Sequence, residues 1–573
     1  MPSASLSNAN PISLKAPQTG ASWKRDLLLI ILLFGMVAGL GLDDYPLGNP
    51  DEGRYAEIPR EMLATGDFVT PRLDGINYFE KPPLVYWCVA GCMKLFGPNE
   101  WAVRLTPVLF ALIGVISVYV AARRLYGRGA GLSSAAVLGT SLLYMALARI
   151  LLLDMAVAVL ISTALLFFIV GIQEPPGTKR RWFFYGLYAS AALATLAKGL
   201  IGFLLPGAVM FFWLLLCNQW KRLRPFHLPT GVLLFLAIAA PWHVLAAQRN
   251  PTWAHFYFVR EHWERFTTTE HGRYEPVWFF IPIVLVGFFP WTEIAWHGLR
   301  DGLRGGWKRR QENAELWFFV IWAAFVFLFF SKSQSKLIPY ILPVFPPLAI
   351  ITGKWLGWRF TPEAAAMKRP RFLISSAVSF IVGVGLCVVM SKPDLVHMRP
   401  AQALGLRSYG FVMAAAFLAA AFGVPWIARS RGPRAAMISL VSAMMLILGT
   451  LVLAARHLQK PSTMELAEIV KTRAAPNDQI YHYGGFYHDF LFYSGRLVGL
   501  VNYKDELEPE NDPRAQQSSR FIDATEFRRQ WNEPGRIWVV VHKDQAPELL
   551  ADPTFRYHLI ARSEKHYLLS NQP

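Results

Sequence analysis

Apolar runs of about 20 residues, the length a helix needs to cross the hydrocarbon core of a bilayer, recur from Leu27 to Ala454. A segment in lipid must satisfy its own backbone hydrogen bonds, so a chain built this way folds as a bundle of spanning helices. Thirteen spans are predicted, near 27–42, 102–122, 131–148, 155–172, 182–198, 201–217, 229–246, 277–296, 315–331, 338–357, 372–391, 409–428 and 434–454. Composition agrees. Of the 573 residues, 54% are hydrophobic and 17% charged, with a mean hydropathy of +0.30, which is more apolar than a soluble domain of this size.

The net charge of +18 does not mark a nucleic-acid binder, because Lys and Arg lie in short clusters between apolar runs. Such clusters gather on the cytoplasmic side of short loops. Arg123, Arg124 and Arg128; Lys179, Arg180 and Arg181; Lys221, Arg222 and Arg224; Arg300, Arg304, Lys308, Arg309 and Arg310; Arg359, Lys368, Arg369 and Arg371; and Arg429, Arg431 and Arg434 fall on alternate loops. One orientation satisfies all of them. It places residues 43–101 wholly outside, with the short apolar stretch 84–96 as a helix in the interface, since a crossing there would export Arg123, Arg124 and Arg128.

Residues 1–22, rich in Ser, Asn, Ala and Pro, read as a disordered cytoplasmic tail, and no small-residue cleavage site follows the first span. Residues 23–455 form the membrane domain. From 456 to 573 the composition becomes that of a soluble domain on the outer side, a small α/β unit with a helix over Thr463 to Lys471 and strands over Gln479 to Tyr483, Leu497 to Asn502 and Ile537 to Val541. No internal repeat, Walker motif or dinucleotide fingerprint occurs. Cys88, Cys92, Cys217 and Cys387 have no zinc-type spacing with His and read as small hydrophobes.

Function is written in the charges that break the orientation bias. Arg54, Lys81, Arg149, Lys198, Arg260, Arg265, Arg273, Lys332 and Lys336 sit outside or at outer helix ends. A cation there snorkels or is compensated by an anion, and as a group they point to an anionic substrate such as a phosphate. The acids run parallel. Asp51 and Glu52 follow the first span, and Asp154 ends the apolar stretch Arg149 to Asp154, where it pairs with Arg149 or Lys198 or takes part in catalysis or sugar binding. Two outer segments, His255 to Phe266 and Ser331 to Tyr340, interleave aromatic and polar residues, as an interfacial belt does and as the wall of a sugar pocket does. Glu80 with His262 is a weak pair for a divalent metal, zinc or magnesium.

Three stretches carry a family resemblance. Asp51 through Met62, Gly66-Asp67-Phe68-Val69 and Tyr78-Phe79-Glu80-Lys81-Pro82-Pro83-Leu84 resemble the first outer loop of bacterial lipid A aminoarabinose transferases, in the protein O-mannosyltransferase-like group of GT-C glycosyltransferases. The likeness continues in Arg149 to Asp154, Ala197-Lys198-Gly199 and Lys336 to Pro343. The chain departs from the family at Ser333-Gln334-Ser335-Lys336-Leu337, where Ser-Lys-Gly-Lys-Leu is more usual, and the carboxyl-terminal domain offers no motif to match.

The resemblance implies a GT-C fold of about thirteen transmembrane helices with a small periplasmic α/β domain. It implies transfer of 4-amino-4-deoxy-L-arabinose from undecaprenyl phosphate to a phosphate of lipid A at the periplasmic face of the inner membrane. Lys81, with Arg54, Lys198, Arg265, Lys336 and Tyr340, is then expected to hold the donor phosphate. Asp51, Glu52 and Asp154 are the catalytic candidates, and Tyr55, Tyr78 and Arg149 line the substrate pocket. A phosphate monoester is largely ionised at neutral pH and needs no strong base. Asp51 and Asp154 are therefore open to three roles: general base, partner for the sugar's ammonium group, or stabiliser of charge at the anomeric carbon. Two rivals stand. One is a related transferase for another polyprenyl-phosphate sugar, such as a protein O-mannosyltransferase; the other is a lipid or small-molecule transporter, which needs charged or broken helices near the midplane.

Overall fold

The structure is a computed structural model that describes residues 20–251, 253–255, 257, 275–361, 364, 372–458, 462–503, 507, 520–553 and 555–573. The amino-terminal helices are α1 (Gly20–Gly39), α2 (Asp51–Thr65), α3 (Leu84–Phe96), α4 (Glu100–Tyr126), α5 (Arg128–Gly139), α6 (Leu142–Ala148), α7 (Leu153–Gly171), α8 (Thr178–Lys198), α9 (Ile201–Leu216) and α10 (Leu228–Arg249). Further helices cover Phe280–Gly287, Thr292–Gly302, Ala314–Lys332, Phe345–Arg359, Leu373–Ser391, Pro400–Ser430 and Pro433–Ala454. Local signals place their ends. Asn99 caps α4 by accepting from the Ala102 N–H at 2.8 Å. α2 stops at Gly66, whose φ of 71° lets its N–H turn back to the Met62 carbonyl.

Length and composition alone do not reach the count of thirteen among the described residues. Among the described residues eight helices are long and apolar enough to cross a membrane, and ten if two bent pairs each count once. α1 and α8 open on three charged residues each, Lys24-Arg25-Asp26 and Lys179-Arg180-Arg181, and α9 has only 16 residues. The expected rods over 131–148 and 277–296 are broken instead, with bends of 66° between α5 and α6 and 101° between Phe280–Gly287 and Thr292–Gly302. Pro290 lies inside the second break, where it has no N–H to continue the ladder.

The basic clusters meet on one face. Arg123 and Arg128 both bind Asp26 at 2.7 Å, Arg124 reaches Glu174 at 3.5 Å, Arg222 reaches Glu315 at 3.6 Å and Arg310 donates to the Leu216 carbonyl at 2.6 Å. The first loop, residues 43–101, lies at the other end of the helices. It carries α2, a two-residue hairpin of β1 (Arg72–Leu73) and β2 (Ile76–Asn77), and α3. Its tip is held to the end of α10, where Trp242 Nε1 donates to the Val69 carbonyl at 2.9 Å and Arg249 meets Asp67 at 3.3 Å.

The carboxyl-terminal domain is a six-stranded mixed sheet in the order β5-β4-β3-β6-β8-β7, with β3 Gln479–Tyr483, β4 Gly499–Val501, β5 Phe521–Ile522, β6 Ile537–His542, β7 His558–Arg562 and β8 His566–Ser570. β5, β7 and β8 join the three strands read from the sequence. The sheet sorts its side chains by alternation. Ile480, Trp538 and Val540 join the apolar core that continues into the membrane bundle, whereas Tyr481, Tyr483, Ile537, Val539 and Val541 build a second core on the opposite face with Phe527 and Trp531.

Candidate active site

Asp51 is the first residue of α2, where a carboxylate is favoured by the helix dipole. Its Oδ1 lies 2.6 Å from the Arg54 guanidinium, three residues on, and the Asp51 side chain is still 48% exposed. The same guanidinium, itself buried, donates to the Tyr78 hydroxyl at 2.9 Å and lies over the Tyr55 ring, 5.2 Å from its centre. Burial pushes the Tyr55 phenol well above its ordinary pKa; Arg54 opposes that rise, and the charges of Tyr86, Asp51 and Glu80 add to it. Arg54, paired with Asp51, therefore covers the Tyr55 ring. Lys81, next to Glu80 in sequence, is buried, with Nζ 2.8 Å from the Glu80 carbonyl and 3.7 Å from its carboxylate.

A second cluster forms at the mouth of the bundle. Asp154, on the first turn of α7, pairs with Lys198 at the end of α8, and Lys198 Nζ lies 4.5 Å from the centre of the Tyr340 ring. Of the two partners open to Asp154 in the sequence, Lys198 is the one. Lys336 is buried and donates to the Glu275 carbonyl at 2.6 Å.

Two contacts join the clusters. The Leu151 N–H donates to Glu52 Oε1 at 3.1 Å, which ties the loop before Asp154 to the neighbour of Asp51. Phe79 and Leu196, adjacent in sequence to Glu80 and close to Lys198, share one apolar cluster with Trp242.

Two expected site residues serve the scaffold instead. Glu52 is buried, and its two oxygens take Arg104 Nε and the second Arg104 nitrogen at 2.8 Å each, besides the N–H groups of Leu151 and Gly48. That carboxylate has no acceptor capacity left for a substrate proton. Arg149 caps α1, donating to the carbonyls of Val37, Ala38 and Gly41 at 3.3, 2.7 and 3.0 Å, so its guanidinium is engaged with the end of that helix. Arg265 and His262 lie outside the described residues. No group of three His, Cys, Asp or Glu able to hold a metal ion occurs among the described residues, and Glu80 by itself is not a metal site.

Sequence reasoning missed Arg104. Its charge at the start of an otherwise apolar helix was the available signal. Asn49 and Asp489 were missed as well, and neither carries a local signal, since the pairing spans 440 residues.

Buried acids mark the joint with the carboxyl-terminal domain. Glu57 is held by Arg60 through two bonds of 2.6 Å, and burial nevertheless raises its pKa. Burial and the neighbouring charges of Glu57 and Asp74 push Glu61 up to about 8. Asp74 accepts from Val498 N and Arg520, yet desolvation wins and lifts it to about 7.

With cations and carboxylates clustered on the first loop and at the ends of α7 and α8, the chain is similar to membrane glycosyltransferases of the GT-C type. Residues 80–244 match the family described as dolichyl-phosphate-mannose-protein mannosyltransferase, and residues 466–571 match the aminoarabinose transferase C-terminal domain, the region in which sequence reading found no motif. The undecaprenyl phosphate-alpha-4-amino-4-deoxy-L-arabinose arabinosyl transferase of Erwinia tasmaniensis is 31% identical over 399 residues, covering 69% of this chain and 70% of that one. The protein of the same name from Pectobacterium carotovorum is 33% identical over 331 residues, 57% of this chain and 58% of that one. The crystal structure of ArnT from Cupriavidus metallidurans bound to undecaprenyl phosphate superimposes with a TM-score of 0.83 at 29% identity, covering 96% of this chain and 98% of that one. The chain belongs to the family of undecaprenyl phosphate-alpha-4-amino-4-deoxy-L-arabinose arabinosyl transferases.

Proposed function

We propose that this protein transfers 4-amino-4-deoxy-L-arabinose from undecaprenyl phosphate to a phosphate group of lipid A, at the periplasmic face of the inner membrane. The observation that carries the reading is the structural match, over 96% of this chain, to a relative bound to undecaprenyl phosphate, and the cations Arg54 and Lys81 on the first loop and Lys198 at the end of α8 support it. The sidedness follows from the basic clusters, which the orientation rule assigns to the cytoplasm.

In the reaction an acceptor phosphate oxygen forms a bond to the anomeric carbon as the bond to the donor phosphate breaks, and undecaprenyl phosphate departs with the electron pair. Charge grows on the leaving phosphate, so fixed cations act where it develops. Lys81, Arg54, Lys198, Lys336 and Arg265 are the residues we assign to that work, with Tyr340 holding Lys198 by its ring face. The acceptor is already ionised at neutral pH. Asp51 and Asp154 are assigned to positive charge, on the sugar's ammonium group and at the anomeric carbon. Tyr55 and Tyr78 wall the pocket.

The cofactor proposal is a divalent ion, zinc or magnesium, on Glu80 and His262. Turnover lost on dialysis against a chelator and regained with zinc or magnesium supports it; turnover unchanged after dialysis removes the ion. The transfer itself is tested with purified protein, undecaprenyl-phosphate aminoarabinose and lipid A in detergent, followed by mass measurement. Lipid A heavier by the aminopentose is expected. Lipid A of unchanged mass, with modification of another acceptor, refutes the reading.

A further inference from the structure

We propose that the carboxyl-terminal domain is a working part of this active site, positioning the turn that presents Asp51 and Arg54 through a paired contact between Asn49 and Asp489. The proposal rests on the transfer reading above and deepens it.

Asn49 stands two residues before Asp51. Its amide makes both halves of a reciprocal contact, donating from Nδ2 to Asp489 Oδ1 and accepting from the Asp489 N–H at 3.0 Å. Asp489 is fully buried, and its own domain fixes its direction. Oδ2 takes the Ser462 hydroxyl and the Thr463 N–H at 2.7 Å each, and Oδ1 takes the Thr463 hydroxyl at 2.7 Å. The carboxylate is saturated, so Asn49 reads a rigid reference.

The backbone itself completes the fit. A Cβ on Gly53 would meet the Asp489 nitrogen at 2.5 Å and the His488 carbonyl carbon at 2.9 Å. The start of the helix His488–Ser494 therefore abuts the middle of Asp51-Glu52-Gly53-Arg54. Tyr493, near the end of that helix, accepts from the Leu47 N–H at 2.8 Å and donates to Glu100 at 2.9 Å. Asn49 and Asp489 touch no reacting atom; they are positioning residues. A displacement of about 1 Å at a catalytic group is enough to slow turnover by roughly a hundredfold.

The test is a swap in the full-length protein. Asn49→Asp sets two carboxylates against each other, and Asp489→Asn sets an amide NH2 against a donor whichever way it turns, the Asn49 amide on one side or the Thr463 N–H on the other. The double variant restores one donor facing one acceptor: the new amide donates to the new carboxylate and to the Thr463 hydroxyl, and the backbone N–H at position 489 keeps an acceptor. We measure kcat and KM with undecaprenyl-phosphate aminoarabinose and lipid A, the melting temperature, and hydrogen–deuterium exchange of the peptide 46–56.

Each single variant is expected to lower kcat by roughly tenfold to a hundredfold, to change the donor KM by less than about threefold, and to speed exchange in 46–56. The double variant is expected to regain both. Where Asp489→Asn fails to accumulate, Asn49→Ser, which leaves every bond inside the domain intact, carries the same expectation. A single variant with wild-type kcat overturns the proposal. So does a double variant that melts like the wild type and stays slow. A wild-type chain that forms no product refutes the transfer reading instead; exchange then decides this one, and unchanged protection in the single variants overturns it.

Discussion

Glu52 and Arg104 form a two-armed ion pair, 2.8 Å on each arm, with 4% and 0% of their side chains exposed. The remaining guanidinium hydrogens go to the carbonyls of Leu42, Tyr45 and Pro46 at 2.7 to 2.9 Å, so the pair pins the chain between α1 and α2. Removing one partner strands a buried charge. Arg104→Ala is expected to lower stability by about 3–5 kcal/mol, and Glu52→Gln, which leaves no bare anion, by less. Thermal unfolding in detergent reads both, and an Arg104→Ala protein as stable as the wild type contradicts the assignment.

Gly53 has no room for a side chain, because the atoms facing it belong to the backbone of residues 488 and 489. Gly53→Ala must push α2 and the helix His488–Ser494 apart. Overpacking of this kind costs about 1–3 kcal/mol, and here it also moves Asp51. The variant is expected to reach the membrane with a lower melting temperature and reduced turnover; full turnover counts against the contact.

Lys81 is buried beside Glu80, its Nζ 2.8 Å from the Glu80 carbonyl. If it holds charge that develops on the leaving phosphate, its loss falls on the transition state more than on donor binding. Lys81→Ala is expected to reduce kcat by about 10²–10³-fold with a smaller change in donor affinity. Steady-state kinetics with the lipid-linked donor measures the split, and normal kcat removes Lys81 from the site.

Glu61 and Asp74 are expected to make the joint between the first loop and the carboxyl-terminal domain sensitive to pH. Their pKa values rise on folding from 4.5 to about 8 and from 3.8 to about 7, chiefly through desolvation. The folded chain thus keeps protons that the unfolded chain has released. Their contribution is fully present below about pH 4, is lost as pH rises toward 8, and is flat beyond. The melting temperature is expected to fall across that window, and Glu61→Gln to flatten the slope. A wild-type melting temperature that climbs from pH 5 to 8 while the Glu61→Gln curve is unchanged removes Glu61 as the cause.

Much of this protein was legible in its order of residues. Apolar runs of membrane length yield the class of the bundle, because the bilayer acts on each segment separately. The stretch Asp51 to Tyr55, Glu80-Lys81, Asp154 and Lys198 stood out because charge beside lipid demands a reason. The alternating strands Gln479 to Tyr483 and Ile537 to Val541 announced themselves by the same local logic.

What only the tertiary structure decided is which partner each of those charges takes. Glu52 and Arg149 have the same local signature as Asp51 and Lys198, yet one is enclosed by Arg104 and the other by the carbonyls of α1. The bends at 139–142 and 287–292, and the meeting of Asn49 with Asp489 across 440 residues, belong to packing between distant segments. A residue's type sets what it can bind. Its partner is set by which surfaces close over it, and that is a property of the assembled chain.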